Sequence, residues 1–296
     1  MRSQPAQTTP TRTVDGCVVD SAAAGDYPPN LYACDGVAEQ VTDLSAVQPA
    51  DCQRFEELGF LVVQHGFSRQ QVDDAITAIQ DIIAVESTGS SIVQYESWAA
   101  DRLDELNGEQ KALAIRKFMN FTDRDARLAT IARDPRLLSL VTRLLGNCEP
   151  EILQEMSLLK PPGGREKPWH QDRAYFNLEA GTPIVGVWIA LDRATPDNGC
   201  MRVWPGRHRD GPIPHFQRRD WQICDTDMDG QQRLAVPLEP GSALLFDALL
   251  PHGTPQNETG DRRWAMQFHY CPAGATRTDD EVRMAVFGSE GKNVEC

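Results

Sequence analysis

Chemistry in this chain is concentrated in a few residues. In Trp169-His170-Gln171-Asp172 an imidazole and a carboxylate lie two positions apart. On an extended segment side chains alternate, so both project to the same face. His252 follows 80 residues after Asp172, just beyond a strand-like Gly241–Asp247 segment. Two imidazoles and one carboxylate form the facial triad of non-haem Fe(II), which leaves three positions for a bidentate co-substrate and dioxygen. An HxD pair alone also arises by chance on surface strands, so the residues after His252 matter. Thr254 lies two positions on and Arg263 eleven. A guanidinium grips a carboxylate through two parallel hydrogen bonds, and a nearby hydroxyl supplies a third, which suits a pocket for a dicarboxylic acid. Arg262 is the rival, and strand neighbours point to opposite faces, so only one of the two reaches such a pocket.

The elements that must position these groups change in character along the chain. Residues 1–45 are rich in Thr, Pro, Ala, Gly and Asp without a sustained period, and are expected to form a flexible N-terminal extension. Residues 46–296 are expected to form one domain: helix-rich over 46–149, strand-rich over 150–275, with a C-terminal tail over 276–296. Phe60–Val63 reads as a strand. Ser68 caps a helix whose Val72, Ala75, Ile76, Ile79, Ile82 and Ile83 recur at helical spacing. The patterns over 109–119 and 123–145 also predict helices. After Pro150 strand-like segments recur at 151–159, 184–191, 200–204, 234–238, 242–246 and 264–270, separated by Pro- and Gly-rich breaks. The expected class is α+β, an antiparallel sandwich or barrel with helices on one sheet face.

Composition narrows the partners. The 296 residues hold 29 Lys and Arg against 43 Asp and Glu, a net charge of −14, which repels nucleic acid and anionic lipid. No apolar stretch approaches the roughly 20 residues that span a bilayer, and the N-terminus lacks an apolar leader, so a cytoplasmic protein without membrane partners is expected. Eight Cys without a CxxC suggest mostly reduced thiols rather than a zinc site or disulfide framework, with a Cys17–Cys34 pair left open. Oligomeric state is open.

From about Gly59 to Cys271 the chain resembles the phytanoyl-CoA dioxygenase (PhyH) family of Fe(II)/2-oxoglutarate-dependent oxygenases. The resemblance is carried by Trp169-His170-Gln171-Asp172, Trp188, Asp197-Asn198-Gly199-Cys200-Met201, Pro205-Gly206-Arg207-His208, and His252 with Arg263. It implies a double-stranded β-helix (jelly-roll) core flanked by helices, Fe(II) as cofactor, and 2-oxoglutarate and O2 as co-substrates. It implies His170, Asp172 and His252 as catalytic iron ligands and Arg263 as partner of the distal 2-oxoglutarate carboxylate, with Thr254 assisting. Trp188 matches a pocket wall, and Lys117 and Gln154 match polar contacts to the co-substrate. Lys117 also reads as an ordinary solvated helix lysine, and whether Gln154 faces the pocket depends on strand register.

Relatives that halogenate carry a small residue in place of the carboxylate ligand. Asp172 therefore implies hydroxylation of a small organic substrate, with desaturation or cyclisation as alternatives at the same iron. Met156, Arg173, Tyr175, Phe176 and Trp221 flank the ligand strand or the long loop after Arg209 and are substrate-side candidates. Between Arg202 and Arg219 five Arg face one acid, Asp210, a local charge of +4 that either attracts an anionic substrate or pairs with acids elsewhere. His208, His215 and His269 are expected to be structural. A non-catalytic jelly-roll binder and a zinc hydrolase are the competing classes. The intact ligand set argues against the first and Arg263 against the second.

Overall fold

The computed structural model describes residues 11–14, 17–20, 27–86, 93–99, 102–228 and 230–288. Its central strand, Arg263–Pro272, shows how one sequence period builds both faces of the domain. Trp264, Met266, Phe268 and Tyr270 join a core with the helical residues Val72, Ile79, Leu128, Ile131 and Val141. Arg263, Ala265, Gln267 and His269 alternate to the opposite face. The neighbouring strand Val185–Ala190 divides in the same way, Val187 and Ile189 toward the helices and Trp188 and Ala190 toward the other sheet. Both faces are buried: Val185–Ala190 is apolar throughout, whereas Arg263–Pro272 carries Arg263, Gln267 and His269 on the face away from the helices.

Ten strands make the larger sheet, in the order Thr11–Val14, Cys17–Asp20, Val93–Tyr95, Ile115–Met119, Pro150–Lys160, Arg263–Pro272, Val185–Ala190, Ala243–Asp247, Phe60–Val63 and Gln40–Val41. The smaller sheet runs Gly36–Val37, Leu234–Val236, Met201–Val203, His252–Thr254 and Lys167–His170. Phe60, Val62, Trp188, Val203, Val236 and Phe246 pack together between the sheets. The result is a jelly-roll with helices layered on the outer face of the larger sheet, an α+β fold.

Local sequence explains the boundaries. The helix Arg69–Glu86 starts with a reciprocal cap, the Gln71 N–H donating to Ser68 Oγ and the Ser68 N–H to Gln71 Oε1. The pattern over 123–145 divides into Ala126–Ala132 and Pro135–Leu144, because Asp134 caps the second helix and Pro135 occupies its first turn. The pattern over 109–119 gives a helix only over Gly108–Ala114. Ile115–Met119 is a strand, paired with Val93–Tyr95 and Pro150–Lys160, and this pairing overrides its helical spacing.

The expected boundary of the N-terminal extension also shifts. Residues 27–45 pack onto the domain: Tyr32 stacks on Trp169 with centroids 6.0 Å apart, and the Trp169 indole donates to the Leu31 carbonyl. The tail contains the helix Asp280–Phe287, and Phe287 buries against Ala174 and Trp221. Cys34, Cys52, Cys148, Cys200 and Cys271 are free thiols, so Cys34 is not paired with Cys17, whereas Cys224 is disulfide-bonded. No helix among the described residues is long and apolar enough to cross a membrane.

One turn feeding the site strands requires glycine. Gly241 has φ +85°, its carbonyl accepts the Phe67 N–H, and a Cβ there would lie 2.4 Å from the Phe67 carbonyl oxygen. Gly241→Ala is expected to destabilise the fold by about 2 kcal/mol or more. Urea unfolding measures this, and an unchanged midpoint would show that the turn yields.

Candidate active site

The ladder of the smaller sheet sets His252 directly opposite His170, with ring centroids 4.3 Å apart. The strand ends at His170. Gln171 keeps an extended backbone (φ −110°, ψ 127°), and Asp172 opens a short 3-10 turn, Asp172–Tyr175. Asp172 therefore shares the face of His170, although it does not lie on the strand that the HxD spacing suggests. His170 Nε2 is 3.1 Å from Asp172 Oδ1, and His252 Nε2 is 3.6 Å from Oδ2. One donor atom from each residue lies within 4.8 Å of the others, and all three residues are buried.

Each imidazole is oriented by its own strand. His170 Nδ1 donates to the Pro168 carbonyl at 2.7 Å and His252 Nδ1 to the Leu250 carbonyl at 3.0 Å. A carbonyl only accepts, so both tautomers are fixed with Nε2 free toward the cluster. From the larger sheet Gln267 Nε2 donates to Asp172 Oδ2 at 2.9 Å, and His269 Nε2 lies 2.7 Å from the same oxygen. Burial pushes the Asp172 carboxyl up, but His252 and His269 beside it, with the hydrogen bond from His269, hold it well below the usual carboxylate range. Burial pushes His252 down to about 4. Two imidazoles and one carboxylate fit a divalent cation of the Fe(II) type. His269 is thus not one of the three clustered residues but holds Asp172 from the larger sheet. Its even spacing from Arg263 and Gln267 is the signal that it shares their face.

A cavity of about 150 Å³ extends from this cluster between the sheets. Arg263 lines it, is 3% exposed, and has Nε and Nη1 without a hydrogen-bond partner. Its Cζ lies 5.2 Å from the Trp188 ring centroid. Burial lowers its pKa to about 10, so it stays cationic at neutral pH. A buried charge without a counter-charge is unfavourable, and a carboxylate in the cavity would complete it. Arg262, on the opposite face, bonds Asp192 at 3.1 Å and lies over Trp264 at 4.0 Å. The sheet period alone separates the two arginines.

Lys160, not anticipated from the sequence, faces Arg263 across the ladder and donates to Thr254 Oγ1 at 2.9 Å. Burial, then the Arg263 charge, pushes its ammonium well below the ordinary lysine range. A lysine ending a strand immediately before Pro161-Pro162-Gly163-Gly164 was the available signal. Lys117, Gln154, Met156, Trp188, Tyr175 and Phe176 line the same cavity. Lys117 sits opposite Leu158 on a strand, so it is not a helix lysine, and register pairs Gln154 with His269.

Arg173 and Trp221 do not line the cavity. Arg173 donates to the carbonyls of Phe176, Leu178 and Glu179, and these bonds use its guanidinium to close the turn after Asp172. Trp221 is buried beside Ala174 and Phe287, where apolar packing holds it. The arginine-rich stretch divides: Arg202 and Arg219 are buried, Arg207 is half-buried, and Arg209 and Arg218 are exposed. Arg202 bonds the Tyr32 carbonyl and Cys200, Arg207 approaches Asp210, and Arg219 pairs with Glu166 and Asp225. Charges at the cavity come instead from Arg116 with Glu96 and from Lys167 with Asp220.

The phytanoyl-CoA dioxygenase (PhyH) profile matches residues 55–265. A probable phytanoyl-CoA dioxygenase of Caenorhabditis elegans is 26% identical over 252 residues, covering 80% of this chain and 79% of its own. Among solved structures, EctD from S. alaskensis with bound Fe has a TM-score of 0.64 at 23% identity, covering 79% of each chain. The epimerase SnoN in complex with Fe3+, alpha ketoglutarate and nogalamycin RO has a TM-score of 0.63 at 18% identity, covering 79% of this chain and 88% of its own. These structures share the fold. The matched span contains the His170, Asp172 and His252 cluster together with Arg263, and the chain belongs to the phytanoyl-CoA dioxygenase (PhyH) family.

Proposed function

We propose that the chain is an Fe(II)- and 2-oxoglutarate-dependent oxygenase that hydroxylates a small organic substrate. The observation that carries this reading is the Arg263 guanidinium, buried with Nε and Nη1 unpartnered, in the cavity that opens from the His170, Asp172 and His252 cluster. In this reading the three clustered residues hold the metal and Arg263 takes the distal carboxylate of 2-oxoglutarate, with Lys160 and Thr254 at the same end. Trp188 forms the wall beneath, and Lys117 and Gln154 offer polar contacts along the cavity floor. Bound Fe(II) with 2-oxoglutarate and O2 supplies the oxidising chemistry, with release of succinate and CO2. The protein's residues bind, orient and exclude water.

Met156, Tyr175 and Phe176 are the substrate-side residues of this proposal. Asp172 occupies the place a halide would need, so halogenation is disfavoured. The epimerase SnoN shares the fold, so the fold does not choose among oxidative outcomes; hydroxylation rests on Asp172 and on the family resemblance. A zinc hydrolase has no use for an unpaired guanidinium in the same cavity.

Anaerobic addition of Fe(II) and 2-oxoglutarate is expected to give the weak visible charge-transfer band of a keto-acid chelate. A chain that binds Fe(II) but remains featureless with 2-oxoglutarate would remove the co-substrate from the proposal.

A further inference from the structure

The structure assigns Gln171, the residue between the two ligands of the HxD pair, as a positioning residue that fixes the geometry of the metal cluster. The inference rests on the reading of His170, Asp172 and His252 as metal ligands. The ladder holds His170 opposite His252, but Asp172 lies beyond the end of the strand, and the Gln267 and His269 bonds to its carboxylate leave its backbone to be tied by another group.

The Gln171 side chain, fully buried, supplies that tie. Its Nε2 donates to the Leu249 carbonyl at 2.6 Å and to the Gly211 carbonyl at 3.1 Å, and its Oε1 accepts the Ile213 N–H at 2.7 Å. Its backbone N–H donates to His215 Nε2 at 3.0 Å, and His215 Nδ1 donates to the Ile213 carbonyl at 2.8 Å. Leu249 adjoins Leu250, whose carbonyl orients His252. Gln171 adjoins Asp172, and Arg173 donates its N–H to the Ala248 carbonyl at 2.9 Å. One amide therefore ties the turn bearing Asp172 to the segment that orients His252, from the side facing away from the cavity.

Only an amide meets this set of partners, since two carbonyls require donors and an N–H requires an acceptor. Gln171→Glu has the same shape but sets a carboxyl group against two carbonyls. Gln171→Met fills the space with no polar atom of that kind. Gln171→Asn keeps the chemistry and shortens the reach, and provides a milder variant if the others fold poorly.

The test is anaerobic Fe(II) titration of the full chain against a competing chelator, without 2-oxoglutarate, alongside thermal unfolding. Outer partners of metal ligands typically contribute about 10–100-fold to affinity. Gln171→Glu and Gln171→Met are expected to weaken Fe(II) binding at least tenfold, with Gln171→Asn between them and the native chain. Asn198→Ala serves as the comparison. Asn198 also staples a loop, through Thr195 and Arg193, but touches no ligand segment; its loss is expected to lower the melting temperature without changing Fe(II) affinity. Gln171 variants that melt lower yet bind Fe(II) within twofold of the native chain would overturn the assignment. A native chain that binds no Fe(II) would overturn the ligand reading itself.

Discussion

Arg263→Leu is expected to raise the KM for 2-oxoglutarate about thirtyfold or more, whereas Arg262→Leu is expected to change it less than about threefold. Truncating one partner of a buried, hydrogen-bonded charge pair costs about 2–5 kcal/mol, and each 1.4 kcal/mol is a factor of ten. Arg262 already has Asp192 and the Trp264 ring, both outside the cavity. The same physics makes a second, opposite prediction for the free protein. Arg263 is buried with two donor atoms unpaired, so an apolar side chain of similar size removes a desolvation penalty. The melting temperature without 2-oxoglutarate is therefore expected to hold or rise in Arg263→Leu, while the stabilisation that saturating 2-oxoglutarate gives the native chain disappears. Titrations of succinate formation and thermal unfolding read the two effects separately. A larger KM change in Arg262→Leu would show that the other arginine is the clamp, and would require the strand register to slip by one residue.

Much of this arrangement was legible because period-two alternation survives any error in element boundaries. The spacing from Arg263 through Gln267 to His269 selects one face whether the strand begins at 263 or 264, and His170 and Asp172 share a face across an extended Gln171. Pairing between distant segments was not legible. Ile115–Met119 carries a helical pattern, but two neighbouring strands claim its backbone, so Lys117 reaches the cavity from a strand. The burial of Tyr32 under Trp169 depends on a contact 137 positions apart that no local composition encodes. Lys160 stayed hidden for the same reason, since its neighbour Arg263 is adjacent only in the ladder. Arg173 erred in the other direction: proximity to a ligand along the chain suggested a substrate contact, while three carbonyls of the following turn take its donors.

Asp172→Ala tests the centre of the site and should have the largest effect on turnover. It removes one donor and the only negative charge of the cluster, and leaves Gln267 Nε2 and His269 Nε2 directed at empty space. The loss should exceed the roughly 10–100-fold typical of an outer partner, so substrate-coupled succinate formation is expected to fall beyond detection. Fe(II) binding should weaken without vanishing, because the Pro168 and Leu250 carbonyls still hold both imidazoles with Nε2 toward the cluster. The vacated space keeps two side chains that faced a carboxylate oxygen. Formate at millimolar concentration is therefore expected to recover part of the Fe(II) affinity in Asp172→Ala and none in the native chain. Full turnover in Asp172→Ala would exclude Asp172 from the ligand set. Weakened Fe(II) binding that formate leaves unchanged would instead show that Gln267 and His269 collapse into the gap, and that Asp172 holds them in place as much as they hold it.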